Sequence, residues 1–170
     1  MGALSDRIIA KAERQTGCEM PYLHTLADTS GAAFARWMLA MPATTYRDKA
    51  SLDAWHLARL GATVAQDCGT CVQVVVTMPR KEGLAASTLQ LALDDPAQLH
   101  DDAQAAFAFG QAVASQAPDV ADHVARMEAL FGHDVHVELA MAVATCLMFP
   151  VIKRGLGQSL SCSMVTVHMD

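Results

Sequence analysis

The sequence predicts an all-α fold, and two observations carry it. Apolar residues recur at helical spacing, as in Phe34, Trp37, Met38 and Met41, and again in Leu57, Leu60 and Val64. Ser, Gly, Asp and Pro separate these segments at the positions where helices start and stop. One short run, Met164 to His168, alternates like a strand, and it reads as a terminal arm suited to packing on another subunit.

The elements follow in order. Ser5 caps a first helix that runs through Arg14 and ends near Gly17. Tyr22 to Ala27 forms a short helix behind Pro21. Ser30 or Gly31 opens a third helix, which Pro42 closes, and residues 43–49 make a polar connection. A proline-free helix from about Ser51 to Ala65 leads into Cys68 and Cys71. The helical segment Val72 to Met78 stops at Pro79, and Arg80-Lys81-Glu82-Gly83 reads as a turn. Leu84 to Leu93 is helical, Asp94-Asp95-Pro96 breaks it, and Asp101 to Ser115 is an Ala-rich helix. Pro118 suits the first turn of the next helix, which reaches Phe131 and stops near Gly132. The last helix starts around Asp134, bends at Pro150 and ends at Lys153-Arg154-Gly155. Being apolar nearly all round from Val137 to Phe149, it is expected at the centre of the fold. Residues 1–170 are expected to make one domain, with N-terminal helices in 1–50 and the core around the Cys pair in 51–160.

A chain of 170 residues, 52% of them apolar, has the material for one core and argues against disorder. A net charge of −6 and no basic cluster count against nucleic acid and anionic membrane as partners. The start, Met-Gly-Ala-Leu-Ser-Asp-Arg, has no apolar signal core. The run Leu139 to Ile152 is short for a bilayer and contains Pro150, so no membrane span is expected. Five Cys with no signal point to a cytoplasmic protein, where disulfides are transient and catalytic. No haem, flavin or nucleotide motif is present, since Gly155-x-Gly157 follows a helix rather than a strand, and no cofactor is expected.

The chemistry concentrates in Gln66-Asp67-Cys68-Gly69-Thr70-Cys71-Val72-Gln73. A Cys pair three apart at a helix start places both sulfurs within disulfide reach. The free N–H groups and positive end of the helix favour thiolate, the form that attacks peroxides and disulfides. Zinc would need four ligands, and Cys18, Cys146 and Cys162 stand alone. Cys146 reads as a small core residue, and Cys18 and Cys162 as surface thiols. His56 is either a satisfied helix histidine or a base with a pKa suited to neutral pH. His133, His136 and Glu138 are close in sequence but point in different directions, which suits capping and surface roles. A buried Glu138 would need a partner. Ten Met fit an adaptable core or a subunit interface.

The stretch Ala62-Thr63-Val64-Ala65-Gln66-Asp67-Cys68-Gly69-Thr70-Cys71-Val72-Gln73 resembles the AhpD-like, or carboxymuconolactone decarboxylase, superfamily. So does the segment from Val137-Glu138-Leu139-Ala140 to Phe149-Pro150-Val151-Ile152-Lys153-Arg154-Gly155-Leu156-Gly157. The resemblance implies an α-helical domain with an internal helical duplication that assembles as a homo-oligomer. It implies reduction of hydroperoxides or disulfides, with recycling by a dithiol reductant protein or lipoyl-type partner. Cys71 would be the peroxidatic sulfur and Cys68 the resolving one. The family's proton relay uses a Glu twelve residues before the first Cys and a His four residues after the second; those positions hold His56 and Val75. A related branch carries Glu where this chain has Gln66.

The leading expectation is therefore a thiol-dependent oxidoreductase with Cys71, Cys68 and His56 as site residues. Two other classes remain: a helical oligomer that binds a ligand or protein and uses the Cys pair as a redox sensor, and an acid–base enzyme like the carboxymuconolactone decarboxylases.

Overall fold

The computed structural model describes residues 2–158. Among them the chain is all-α, built from α1 (Ala3–Thr16), α2 (Pro21–Thr29), α3 (Gly31–Ala40), α4 (Leu52–Val64), α5 (Gly69–Glu82), α6 (Ala86–Asp94), α7 (Asp101–Ser115), α8 (Val120–Phe131) and α9 (His133–Gly155). Short 3-10 turns follow α3 (Met41–Thr45) and α6 (Pro96–Gln98). Met164 to His168 and Cys162, read as a terminal arm and a surface thiol, lie outside the described residues.

Local chemistry explains most boundaries. Gly17 and Gly83 adopt left-handed φ values of 69° and 101° and cap α1 and α5. The hydroxyls of Ser30 and Ser51 accept from the N–H groups of Ala33 and Ala54, each at 3.2 Å, and so cap α3 and α4. The α5 helix departs from expectation, for it continues through Pro79 to Glu82. Proline removes one backbone donor, but the ring is fully buried here, and its packing offsets that loss. The residues read as a turn are the last turn of this helix.

The α4 helix, rather than α9, is the central element. Leu57, Ala58, Leu60 and Ala62 are completely buried between α7 and α9. Glycines set the α4–α7 crossing: a Cβ on Gly61 would lie 2.1 Å from the Phe107 carbonyl oxygen, and one on Gly110 would lie 1.9 Å from that of Ala58. The α9 helix packs one face, carrying Leu139, Ala142, Val143 and Cys146, and leaves Val137 and Val151 53% and 56% exposed. It has the length and apolarity of a membrane-crossing helix, and 33% of its apolar stretch is buried within the chain. It packs against α4, α7, α8 and the turn after α3 but leaves the stripe with Val137 and Val151 uncovered, which is why an all-round apolar pattern did not make it central.

Glu138 has the partners its burial demands. Its carboxylate accepts from the backbone N–H groups of Asp48, Lys49 and Ala50 at 2.8, 2.9 and 3.2 Å, so α9 fixes the strap that leads into α4. Lys49 pairs with Asp134 at the same place.

A second apolar cluster joins α1, α2 and α3 to the C-terminal end of α9. Ile9, Tyr22, Leu23 and Phe34 form it, with Trp37 packed edge-on against both Tyr22 and Phe149 at 6.0 Å. The first three helices thereby form a layer over the end of the bundle that carries the Cys pair.

Candidate redox site

The turn from α4 into α5 is built to aim the Cys pair. Asp67 sits at φ 50°, a left-handed conformation that Asp tolerates better than most residues, and it reverses the chain in a few residues. Cys68 is then the N-cap of α5 and Cys71 lies in its first turn. The two are joined as a disulfide with Cα atoms 5.2 Å apart. The C-terminal end of α9 braces the turn: Arg154 donates to the side-chain and backbone oxygens of Gln66 at 3.2 and 2.9 Å, and Gln66 donates to the Ala114 carbonyl at 2.9 Å. Gln66 is thus a structural strut.

Cys71 faces a cavity of about 400 Å³ between the two apolar clusters. The α4, α5 and α9 helices form one wall, while α1, α2, α3 and the turn after α3 close it from the other side. From α5 the wall carries Cys71, Val75, Met78 and Glu82, a spacing of three to four residues that keeps one helix face toward the space. Val75, one helical turn after Cys71, is therefore its apolar neighbour. The lining is mostly hydrophobic, with Tyr22, Trp55 and Phe149 among its aromatics.

Three cations interrupt it. Lys153 is buried, donates to the Thr70 hydroxyl at 3.0 Å and stands 5.5 Å from the Tyr22 ring centre. Thr70 in turn lies 3.8 Å from the Cys68 sulfur. Because the amine donates to Thr70, the Thr70 hydroxyl proton is free to point at that sulfur. Burial pushes the Lys153 pKa below its ordinary value, with Cys18 opposing the shift. Arg59 lies on the same wall with its guanidinium carbon 4.1 Å from the Trp55 ring centre, and its buried Nε has no hydrogen-bond partner. Burial lowers the Arg59 pKa, while Cys146 and Glu82 act in the opposite sense. Arg47 donates to the Ala50 carbonyl at 3.0 Å.

His56 is placed away from the sulfurs. It is completely buried in α4, its Nε2 is 3.1 Å from the Glu82 carboxylate, and its Nδ1 has no partner. Glu82 follows Cys71 by three helical turns, which separates them by about 16 Å along α5. Desolvation holds the His56 pKa below its ordinary value against the opposing pull of Glu82, with Arg59 and Arg47 adding to the lowering.

Of the other cysteines, Cys146 is buried beside Thr63 and Arg59, and burial raises its pKa. Cys18 is half-buried and lines the cavity near Lys153, rather than lying on the open surface. His133 and His136 converge on Glu128, at 3.1 and 3.3 Å, and not on Glu138. The ligand atoms of these three residues lie within 4.8 Å of one another, a set that could hold a metal ion at the α8–α9 corner, far from the sulfurs in the chain.

The sequence singled out Cys68, Cys71 and His56; the structure joins the two cysteines as a disulfide and puts His56 against Glu82, away from them, while Lys153 and Thr70 were not singled out. One signal was present: His56, Arg59 and Thr63 share a side of α4 at helical spacing. Lys153, a cation ending an apolar helix, looked like ordinary helix-end charge. Compared with known proteins, the chain matches no family model, no curated protein and no solved structure.

Proposed function

We propose that the protein is a thiol–disulfide oxidoreductase of AhpD-like type that reduces hydroperoxides or disulfides through Cys68 and Cys71. One observation carries the reading: half of a helix-start disulfide, Cys71, lines an apolar cavity beside a buried lysine. The resemblance of the Cys turn and of the α9 segment supports it.

In the reduced protein the first turn of α5 and the Lys153 ammonium favour negative charge on sulfur. The Cys71 thiolate attacks the terminal peroxide oxygen, the O–O bond breaks, and the alkoxide leaves as alcohol after taking one proton. Cys71 is then a sulfenic acid. The Cys68 sulfur attacks Cys71, an S–S bond forms and water leaves. A dithiol partner restores both thiols by exchange and becomes a disulfide itself. The Lys153–Thr70 pair fills the place of the missing family histidine. Its ammonium donates to Thr70, whose hydroxyl lies 3.8 Å from the Cys68 sulfur and can donate to it, so the pair stabilises the Cys68 thiolate. His56 has a different part in this scheme: it holds Glu82 at the far end of the cavity wall.

The test is steady-state consumption of an organic hydroperoxide with a small dithiol as reductant. Cys71→Ser is expected to lower the rate at least 100-fold. Unchanged turnover in Cys71→Ser would remove the assignment. The sensor reading, favoured by Val75 beside Cys71, instead predicts a single stoichiometric oxidation with no turnover.

A further inference from the structure

We propose that the cavity binds an amphipathic monocarboxylate, with Arg59 as the anchor for its carboxylate and the apolar walls enclosing its hydrocarbon body. The binding claim stands on the cavity itself. The extension, that the hydroperoxide reduced is a fatty-acid hydroperoxide, rests on the function proposed above.

Four observations lead there. The cavity, about 400 Å³, falls in the range that encloses small organic ligands. Its walls carry an apolar surface that includes Ile8, Leu23, Met38, Met78, Val75 and Phe149, which suits an alkyl body. The charged lining is unequally committed: Lys153 donates to Thr70, Arg47 donates to the Ala50 carbonyl, and Glu82 is taken by His56. Arg59 alone of the three cations has a buried nitrogen donor without a partner, and no carboxylate lies within ion-pair distance of it among the described residues. A half-buried cation whose Nε is buried without a partner is stabilised by an anion of the ligand, and a guanidinium fits a carboxylate through two parallel N–H bonds. The Trp55 ring stacked on it at 4.1 Å holds the guanidinium plane in place. The same wall carries Cys71, so a ligand anchored at Arg59 lies along the surface that presents the sulfur.

Dodecanoate and dodecanol are the probes. Binding to the oxidised protein is followed by calorimetry and by the fluorescence of Trp55 and Trp37. Dodecanoate is expected to bind in the wild type and at least tenfold more weakly in Arg59→Gln, with Arg59→Lys between them. Dodecanol is expected to bind Arg59→Gln within twofold of the wild type, which shows that the cavity is still formed. Absence of dodecanoate binding to the wild type overturns the inference. So does equal loss of both probes in Arg59→Gln together with a retained melting temperature, or a carboxylate preference lost in Lys153→Gln and kept in Arg59→Gln. The two proposals fail separately. Dodecanoate binding without any hydroperoxide turnover leaves the site standing and removes the peroxidase reading. Turnover of a small neutral hydroperoxide without dodecanoate binding does the reverse.

Discussion

At the scale of single residues, the cation nearest the Cys68 contact network is Lys153, which donates to Thr70. A histidine one turn after Cys71 would have met that sulfur, and Val75 stands there instead. The positive charge comes from Lys153, a residue distant in sequence that reaches Cys68 through Thr70. Lys153→Gln is expected to slow oxidation of the reduced Cys pair by a hydroperoxide about tenfold, equivalent to about 1.4 kcal/mol of barrier. Thiol titration against time checks this, and an unchanged rate would leave Lys153 a purely structural cation.

His56 makes a second prediction at this scale. In the neutral ring, donation from Nε2–H to Glu82 leaves Nδ1 unprotonated, and Nδ1 is buried without a partner. Protonation would place an orphan N–H in the core, in keeping with the lowered pKa. The unfolded chain therefore binds this proton more readily than the folded one. The stabilisation is fully present above the ordinary histidine pKa of about 6.5 and is lost as pH falls from there through the folded value. Urea midpoints measured from pH 7.5 to pH 5 should fall with pH in the wild type and fall less in His56→Gln. Parallel curves would contradict it.

At the scale of elements, two contacts decide the frame. The α4–α7 crossing relies on Gly61 and Gly110, where backbone carbonyls occupy the space of a Cβ. Gly110→Ala forces those helices apart, and a loss of about 3 kcal/mol or more in denaturant unfolding is expected. Glu138 is the other fixed point. Glu138→Ala leaves three backbone donors near α4 without their acceptor and should cost about 2–4 kcal/mol in the same measurement. The need of a buried Glu138 for a partner was legible beforehand, but neither its partners nor the glycine crossing was. A glycine's use depends on the partner helix, and the carboxylate's partners lie about ninety residues away in the chain. Helix starts and stops were more legible, because Ser30, Ser51, Gly17 and Gly132 act on adjacent backbone. Pro79 misled for a related reason: its local signal says stop, and tertiary packing of the ring overrides it.

At the scale of the whole molecule, the all-α class was readable from apolar spacing and punctuation, since both are local. The arrangement was not. The role of the first three helices in closing the cavity came from long-range packing of Tyr22, Trp37 and Phe149, and nothing in residues 1–50 announced it. The all-round apolar pattern of α9 was visible, but the pattern cannot say which side is covered within one chain. Its uncovered side presents Val137, Met141, Ala144, Met148 and Val151 at helical spacing, and Leu130 on α8 is also exposed. Because the resemblance implies a homo-oligomer, this stripe is the expected contact between copies. Sedimentation should show more than one chain per particle, and Val151→Glu should shift it toward monomer. A wild-type monomer at all concentrations would contradict that.

The central claim is that Cys71 is the sulfur that meets the oxidant. The most direct measurement is mass spectrometry of reduced Cys68→Ser and reduced Cys71→Ser after brief exposure to an organic hydroperoxide, with a dimedone-type trap for sulfenic acid. The account predicts rapid labelling at Cys71 in the first variant and none above the rate of a free thiol at Cys68 in the second. Labelling of Cys68 alone, or labelling of neither faster than a free thiol, would contradict it.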